Sequence, residues 1–246
     1  MSLDLTVAAD APSVVQRTPA PADLPRINHL PPLRTGLLSG ARRIFRWALQ
    51  RLWRLEIHGL ENLPSSGPVI LAANHIGTLD GPIAVACTPR SLALAKSELF
   101  TSKVGPVLQA AGQIPVSRDY HDHRAVKRCV QVLADGRALV IFPEGRRGKG
   151  DMTQLYGGAA YLAMVTGAPV IPVALLGTRI PGEHLKSTPP IGSPMHIVYG
   201  EQVHIPMQEW PRRRQDVDAA TQYLSQVCSE HLRVAQQMTQ MSLPGA

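Results

Sequence analysis

From about residue 56 to the end of the chain, short apolar runs alternate with segments of helical periodicity, and this alternation constrains the fold more than any other feature. The runs in PVILAANH, RALVIFPEG and APVIPVALLG have the length and composition of buried strands, whereas HDHRAVKRCVQVLADG is an amphipathic helix closed by Gly. Strands and helices that follow one another in this way build a sheet of parallel strands. The sequence therefore predicts a single α/β domain at residues 56–240, with a largely parallel central sheet flanked by helices.

The chain on either side of this domain has a different character. Residues 1–32 are rich in Pro, Ala and Asp and lack apolar periodicity, which is typical of a disordered arm. Residues 241–246 follow the last predicted helix and are interpreted as a short tail. No basic start leads into an apolar core at the N-terminus, so no signal peptide is expected.

Residues 33–55 are predicted to form an amphipathic, basic helix in front of the domain, with six arginines between residues 34 and 54. On a helical wheel its apolar side chains share one face: Leu38, Ala41, Phe45, Ala48, Leu49 and Leu52. Arg43, Arg46 and Arg54 lie roughly opposite that face. Two interpretations stay open: a helix that packs its apolar stripe on the domain, or an interfacial helix that lies on an anionic membrane.

The net charge of +7 and the pI of about 9.7 indicate an anionic partner, which could be nucleic acid, an anionic membrane surface or a phosphorylated substrate. Nucleic acid is disfavoured, because the arginines cluster on one helix and at strand ends rather than in a stripe with interleaved aromatic residues. No apolar run approaches the roughly 18 residues that span a bilayer, so any membrane contact is expected to be peripheral. The three cysteines are far apart and form no CxxC pair, which suits a reducing compartment and argues against a disulfide framework or a zinc site made by cysteines.

The stretch NHIGTLD contains the most distinctive pair of polar residues. Of the nine histidines, only His75 has an aspartate five places later, Asp80. His75 follows an apolar strand, and Gly77 lets the intervening loop bend so that Asp80 can reach the imidazole. Such a pair can act as a general base toward a hydroxyl, or it can be a core histidine bonded to a capping aspartate. Asn74 is expected to shape the loop.

Charged residues follow three other predicted strands. Lys96 follows SLALA, Arg118 follows QIPVS, and Glu144 and Arg147 follow ALVIFP. Carboxyl ends of parallel strands share an edge, so these residues are expected near His75, where the cations could bind a phosphate. The alternative is solvated loop charge. Gly145 would let the last loop approach a ligand closely.

Pro172 lies inside the strand-like run VIPVAL. Because proline cannot donate to a sheet ladder, it predicts an edge strand or a bulge at this position, with a structural role.

Taken together, four blocks resemble those of the glycerolipid acyltransferase family, the 1-acylglycerol-3-phosphate acyltransferases. The blocks occur in the family's order and are NHIGTLD (74–80), GQIPVSR (112–118), FPEGRR (142–147) and VIPVAL (170–175). Arg146 and Gly148 stand where the family usually has Thr and Ser, so the acceptor stays open.

The resemblance implies that His75 is the catalytic base and Asp80 its partner. It implies that Lys96, Arg118, Glu144, Gly145 and Arg147 form the acceptor-binding group, with Asn74, Pro143 and Pro172 as structural support. It also implies acyl transfer from acyl-CoA or acyl carrier protein to a lysophospholipid, most simply 1-acylglycerol 3-phosphate, without metal or bound cofactor, on the cytosolic face of the cell membrane. Glycerol 3-phosphate, another lysolipid, or a non-catalytic membrane-binding role remain alternatives.

Overall fold

The computed structural model describes residues 27, 38–117 and 122–245, and its centre is one seven-stranded sheet with the strand order β1-β7-β6-β2-β5-β3-β4. The strands are β1 (Arg54–His58), β2 (Val69–Ala73), β3 (Ser91–Lys96), β4 (Ile114–Val116), β5 (Ala138–Ile141), β6 (Val170–Leu176) and β7 (Pro194–Tyr199). The α-helices are α1 (Leu38–Leu52), α2 (Asp80–Cys87), α3 (Gly105–Ala110), α4 (His123–Ala134), α5 (Gly158–Thr166) and α6 (Arg214–Thr239). Short 3₁₀ turns cover Leu60–Asn62 and Ser97–Thr101.

Five strands, β2 to β6, run parallel, as predicted. β7 pairs with β6 in the antiparallel sense, so it runs opposite to these five strands. β1 pairs in parallel with β7 and runs in the same direction as β7. All residues of β2, β5 and β6 are buried, which explains why these strands read as continuous apolar runs rather than alternating ones. The carboxyl ends of the five parallel strands therefore meet at one edge of the sheet.

Helices cover both faces of this sheet. One apolar core forms between the sheet and α4, α5 and α6, and the other between the opposite face and α1 and α2. The two-sided arrangement confirms the predicted α/β class with flanking helices.

The first helix ends earlier than predicted. It stops at Leu52, and Arg54, which was expected on its basic face, is the first residue of β1. The segment RLEIH alternates with period two: Leu55 is buried in the core while Arg54 and Glu56 are exposed, and this pattern suits a strand rather than a helix. The predicted arm at residues 1–32, apart from residue 27, and residues 33–37 lie outside the described residues.

The face by which α1 packs also differs from the predicted apolar stripe. Leu49 is buried as expected, but Phe45 and Leu52 are exposed. Arg42 lies partly buried on the packed side, and its guanidinium donates to the carbonyl oxygens of Thr88 and Ser91 at 3.1 and 2.8 Å. Thr88 caps the C-terminus of α2, where a cation is stabilised by the helix dipole, so an arginine takes a place that the apolar stripe was expected to fill.

Pro172 lies in an internal strand, so the prediction of an edge strand or bulge was wrong. β6 pairs with β2 on one side, where Ala72 is the partner of Pro172, and with β7 on the other. The N–H of Gly200 donates to the Pro172 carbonyl at 2.9 Å, just past the last paired residue of β7. A Cβ on Gly200 would lie 2.7 Å from Pro172 Cγ, so a glycine at the end of β7 makes room for the proline ring.

The residues after α6 pack on the domain. Met241 and Leu243 contact the core on the α4–α6 face, and the Gly182 N–H donates to the Pro244 carbonyl at 3.1 Å. Among the helices of the described residues, none has the length and apolar character needed to cross a bilayer.

Candidate active site

His75 lies two residues after the end of β2, at the edge where the parallel strands end. Its Nδ1 is 2.7 Å from Asp80 Oδ2, and its side chain is 14% exposed. No residue in the described part of the chain forms a hydrogen bond with its Nε2. The imidazole thus offers one nitrogen to the aspartate and leaves the other for a substrate.

Asp80 is fully buried at the start of α2, and its Oδ2 also accepts the backbone N–H groups of Ile76 and Gly77, both at 2.7 Å. The hydroxyl of Thr178 donates to its Oδ1. A carboxylate only accepts hydrogen bonds, so in the neutral imidazole of His75 the proton lies on Nδ1 and the lone pair on Nε2. The contacts fix both the tautomer and the position of the ring.

Thr178 was not found by sequence reasoning. It follows β6 after Gly177, and its only sequence signal is that position at the carboxyl end of a parallel strand. Its backbone also fixes the loop before Asp80, since a Cβ on Gly77 would lie 2.3 Å from the Thr178 carbonyl oxygen. Gly77 is therefore required by close backbone packing, and not only by loop flexibility.

Glu144 holds the backbone of the site. Its Oε2 accepts the N–H of His75 at 2.7 Å, and its Oε1 accepts the N–H of Met152 at 3.3 Å. Burial raises the pKa of this carboxyl, while the two backbone N–H groups act in the opposite direction. Sequence reasoning expected Glu144 to bind the acceptor, but both of its oxygens are bonded to the protein's own backbone, so its visible role is to position His75.

Two further contacts hold His75 from the β5 side. The ring of Phe142 stacks on the imidazole with centroids 4.2 Å apart, and the N–H of Gly148 donates to the His75 carbonyl at 2.9 Å. Phe142 belongs to the FPEGRR block, but no local pattern tells which neighbour an aromatic ring will stack against.

Asn74 has the structural position that was expected of it. It is fully buried, its amide nitrogen donates to the Leu175 carbonyl at 3.1 Å, and its amide oxygen accepts the Leu175 N–H at 2.7 Å. The side chain thus continues the β2–β6 ladder by one step and fixes the point at which the loop to His75 begins.

Two of the three predicted cations belong to the described residues, and the contacts of each are with groups other than His75 and Asp80. Arg147 is half-buried and donates to the Leu185 carbonyl at 3.4 Å. Lys96 ends β3 and forms an exposed ion pair with Glu98 at 2.5 Å. Arg118 lies outside the described residues.

Pro143 and Gly145 shape the loop after β5. Pro143 is buried, and its carbonyl accepts the Tyr156 N–H at 2.7 Å. Gly145 has a φ of 68°, and a Cβ there would lie 2.6 Å from the Tyr156 ring. Gly145 is thus a turn residue that the ring of Tyr156 covers.

Comparisons with known proteins identify the family. A family model described as Acyltransferase matches residues 54–176. The chain is 35% identical over 165 residues to the chloroplastic 1-acyl-sn-glycerol-3-phosphate acyltransferase LPAT1 of Arabidopsis thaliana, an alignment that covers 58% of this chain and 44% of that protein. It is 30% identical over 161 residues to the 1-acyl-sn-glycerol-3-phosphate acyltransferase of Bacillus subtilis, covering 63% of this chain and 79% of that protein.

The fold is similar to that in the crystal structure of the 1-acyl-sn-glycerophosphate (LPA) acyltransferase PlsC from Thermotoga maritima. The TM-score is 0.62 at 21% identity, with 81% of this chain and 80% of that chain covered. The alignments with chloroplastic relatives span less than half of those proteins, 45% for that of Brassica napus and 44% for that of Arabidopsis thaliana.

Proposed function

Because the chain belongs to the acyltransferase family, we propose that it transfers a fatty acyl group from a thioester to the free hydroxyl of 1-acylglycerol 3-phosphate, giving phosphatidic acid. The observation that carries the proposal is the His75–Asp80 pair, with Nδ1 bonded to a buried carboxylate and Nε2 directed to no protein partner among the described residues. The names of the relatives support the choice of acceptor.

The reaction needs one base and no redox step. His75 Nε2 removes the proton of the lipid hydroxyl while the oxygen attacks the thioester carbonyl. The tetrahedral intermediate then collapses, the C–S bond breaks, and the imidazolium returns the proton to the leaving thiolate. The products are the ester and the free thiol. General-base help of this kind is worth about 10²- to 10⁴-fold in rate.

Asp80 favours the imidazolium that forms during the attack. Its charge lies 2.7 Å from Nδ1, and three further donors hold the carboxylate in place, two from backbone N–H groups and one from Thr178. Because the carboxylate is positioned before the reaction, little reorganisation is needed when charge develops on the ring.

The acceptor's phosphate is proposed to bind to the cations that follow the parallel strands. Arg147 supports this, because it follows β5 in the same loop as Glu144, which accepts the N–H of His75. Arg118 and Lys96 are proposed to contribute as the family resemblance implies. Positioning acceptor and thioester together can lower the barrier by about 7–11 kcal/mol at best. The donor is acyl-CoA or acyl carrier protein, with no metal or bound cofactor in the reaction.

The enzyme is further proposed to act as a peripheral protein on the cytosolic face of an anionic cell membrane. Helix α1 supports this, since Ile44 is 69% and Trp47 63% exposed on the side away from Leu49, with Arg43 and Arg51 also exposed. Exposed tryptophan and arginine on one helix suit the headgroup layer.

An acceptor panel tests the proposal. Purified protein is incubated with one labelled acyl-CoA and, separately, 1-acylglycerol 3-phosphate, glycerol 3-phosphate and a neutral lysolipid, and the products are identified by mass spectrometry. Phosphatidic acid as the main product is expected. A preference for glycerol 3-phosphate would change the acceptor but keep the chemistry, whereas no thioester consumption with any acceptor would favour a non-catalytic protein of the same fold.

A further inference from the structure

A second group of titratable side chains lies on β1 and β7. Glu56 and His58 are two residues apart on β1, and His196 on β7 is the register partner of Glu56. Alternate residues of a strand point to the same face, as do register partners, so the three side chains converge. β6 lies between β7 and β2, the strand that leads to His75, so this group is separate from the acyl-transfer site.

Three atoms of the group form a small triangle. His58 Nε2 lies 3.2 Å from His196 Nδ1 and 3.6 Å from Glu56 Oε2, and His196 Nδ1 lies 3.8 Å from the same oxygen. A tetrahedral Zn²⁺ with bonds of about 2.0–2.1 Å keeps its ligand atoms roughly 3.3–3.4 Å apart. Each edge of the triangle is therefore within about 0.5 Å of the spacing that zinc requires.

We propose that Glu56, His58 and His196 bind one Zn²⁺ ion, with water as the fourth ligand. Two imidazoles and one carboxylate are a ligand set that zinc uses in proteins. His196 is buried, whereas the Glu56 side chain is 62% exposed, so an ion can enter from solvent and complete its shell there.

The ion would stabilise the edge of the sheet. β1 is the outermost strand on this side and is held through its pairing with β7, and α1 ends two residues before it begins. Ligands from both strands would link β1 to β7 by metal bonds in addition to backbone hydrogen bonds. Zinc binding should therefore raise the melting temperature, because a ligand that binds only the folded state stabilises it.

A simpler alternative is a proton shared by the two rings. At 3.2 Å, one imidazole can donate to the other, and the exposed carboxylate then only adds a weak ion pair. The two accounts differ in their response to metal, since the shared proton alone gives no selective zinc affinity. The proposal is independent of the acyl-transfer reaction, in which the ion takes no part.

The test uses full-length, tag-free protein that has been treated with a chelator and dialysed. Zinc chloride is titrated by calorimetry, and melting temperature is measured with and without zinc. We expect one zinc per chain and a rise in melting temperature that EDTA reverses. His58→Gln and Glu56→Gln should each weaken zinc binding by about tenfold or more, with the apo proteins melting close to the wild type.

The matched control is His204→Gln, which removes an exposed histidine from another part of the surface. It should bind zinc as the wild type does. Wild-type affinity in both His58→Gln and Glu56→Gln would place any bound zinc elsewhere and overturn the proposal. So would a wild-type protein with neither binding heat nor a shift in melting temperature at submillimolar zinc.

Discussion

The carboxylate of Glu144, in the loop after β5, accepts the backbone N–H of His75 at 2.7 Å and so joins the loops that follow two neighbouring strands. The same side chain accepts the Met152 N–H at 3.3 Å. The position of the base therefore depends on a residue that does not touch its ring. Loss of this contact should slow catalysis by moving His75, even when the hydrogen bond between His75 and Asp80 is kept.

Glu144→Gln tests this relationship. The amide keeps one acceptor oxygen but turns its NH₂ group toward a backbone donor, so one buried N–H loses its partner. We expect the free energy of unfolding to fall by about 1–3 kcal/mol, and kcat to fall with it. Urea denaturation and steady-state kinetics measure the two effects, with the exposed Glu201→Gln as control. A variant with wild-type stability and kcat but a raised KM for the acceptor would instead make Glu144 a substrate-binding residue.

Thr178→Val should weaken catalysis through Asp80. The change keeps the side-chain volume but removes the hydroxyl that donates to Asp80 Oδ1. A hydrogen bond to a charged group is worth about 1.5–3 kcal/mol, which corresponds to a loss of roughly 10- to 100-fold in kcat if the bond acts in the transition state. Thr178→Ser keeps the hydroxyl and should recover most of the activity. Equal losses in the two variants would show that packing, and not the hydrogen bond, is what matters.

Gly77→Ala and Gly158→Ala should differ in their effect on stability. A Cβ at Gly77 would lie 2.3 Å from the backbone oxygen of Thr178, whereas a Cβ at Gly158, the first residue of α5, would meet nothing within 4 Å beyond its chain neighbours and its own helix backbone. The first change should lower stability by more than about 1 kcal/mol, and the second should leave it unchanged or raise it by up to about 1 kcal/mol. Thermal unfolding compares the pair, and similar effects at both positions would contradict the close approach of the two loops.

The exposed side of α1 gives a prediction for membrane binding. Ile44→Ser with Trp47→Ser removes apolar surface but leaves the packed side, including Leu49 and Arg42, in place. Flotation with anionic vesicles should drop markedly. The control is Trp210→Ser, because Trp210 is 74% exposed and lies outside α1. If the control floats less and the double variant floats as the wild type, the membrane contact lies elsewhere.

The sequence predicts the centre of this fold better than its edge. Strands β2, β5 and β6 are continuous apolar runs. Because parallel strands end at one edge of the sheet, the sequence correctly predicts that the loop of Asn74 and His75 lies beside the loop of Glu144. The sequence does not predict β1, because RLEIH follows α1 after one residue and begins with the same Arg-Leu pair as the end of that helix. The period-two alternation of β1 extends over five residues only, and its pairing with β7 is remote in the sequence.

The roles of two site residues depend on contacts that no local pattern contains. Glu144 belongs to a recognisable block, but the block does not say whether its carboxylate faces a ligand or the backbone of His75. Thr178 meets Asp80 across a separation of 98 residues, so the hydrogen bond exists only once β6 lies beside β2. Both residues position the base through tertiary contacts, which is the kind of information that spacing does not provide.

The central claim is that His75 is the base for acyl transfer, and the most direct test is the turnover of His75→Ala with 1-acylglycerol 3-phosphate and a labelled acyl-CoA. His204→Ala, at an exposed histidine, serves as control, and melting temperature and vesicle flotation verify that both variants are folded and bind membranes. We predict that His75→Ala loses about 10²-fold or more in kcat while the control keeps wild-type turnover. A folded His75→Ala protein with a rate near that of the wild type would contradict the account.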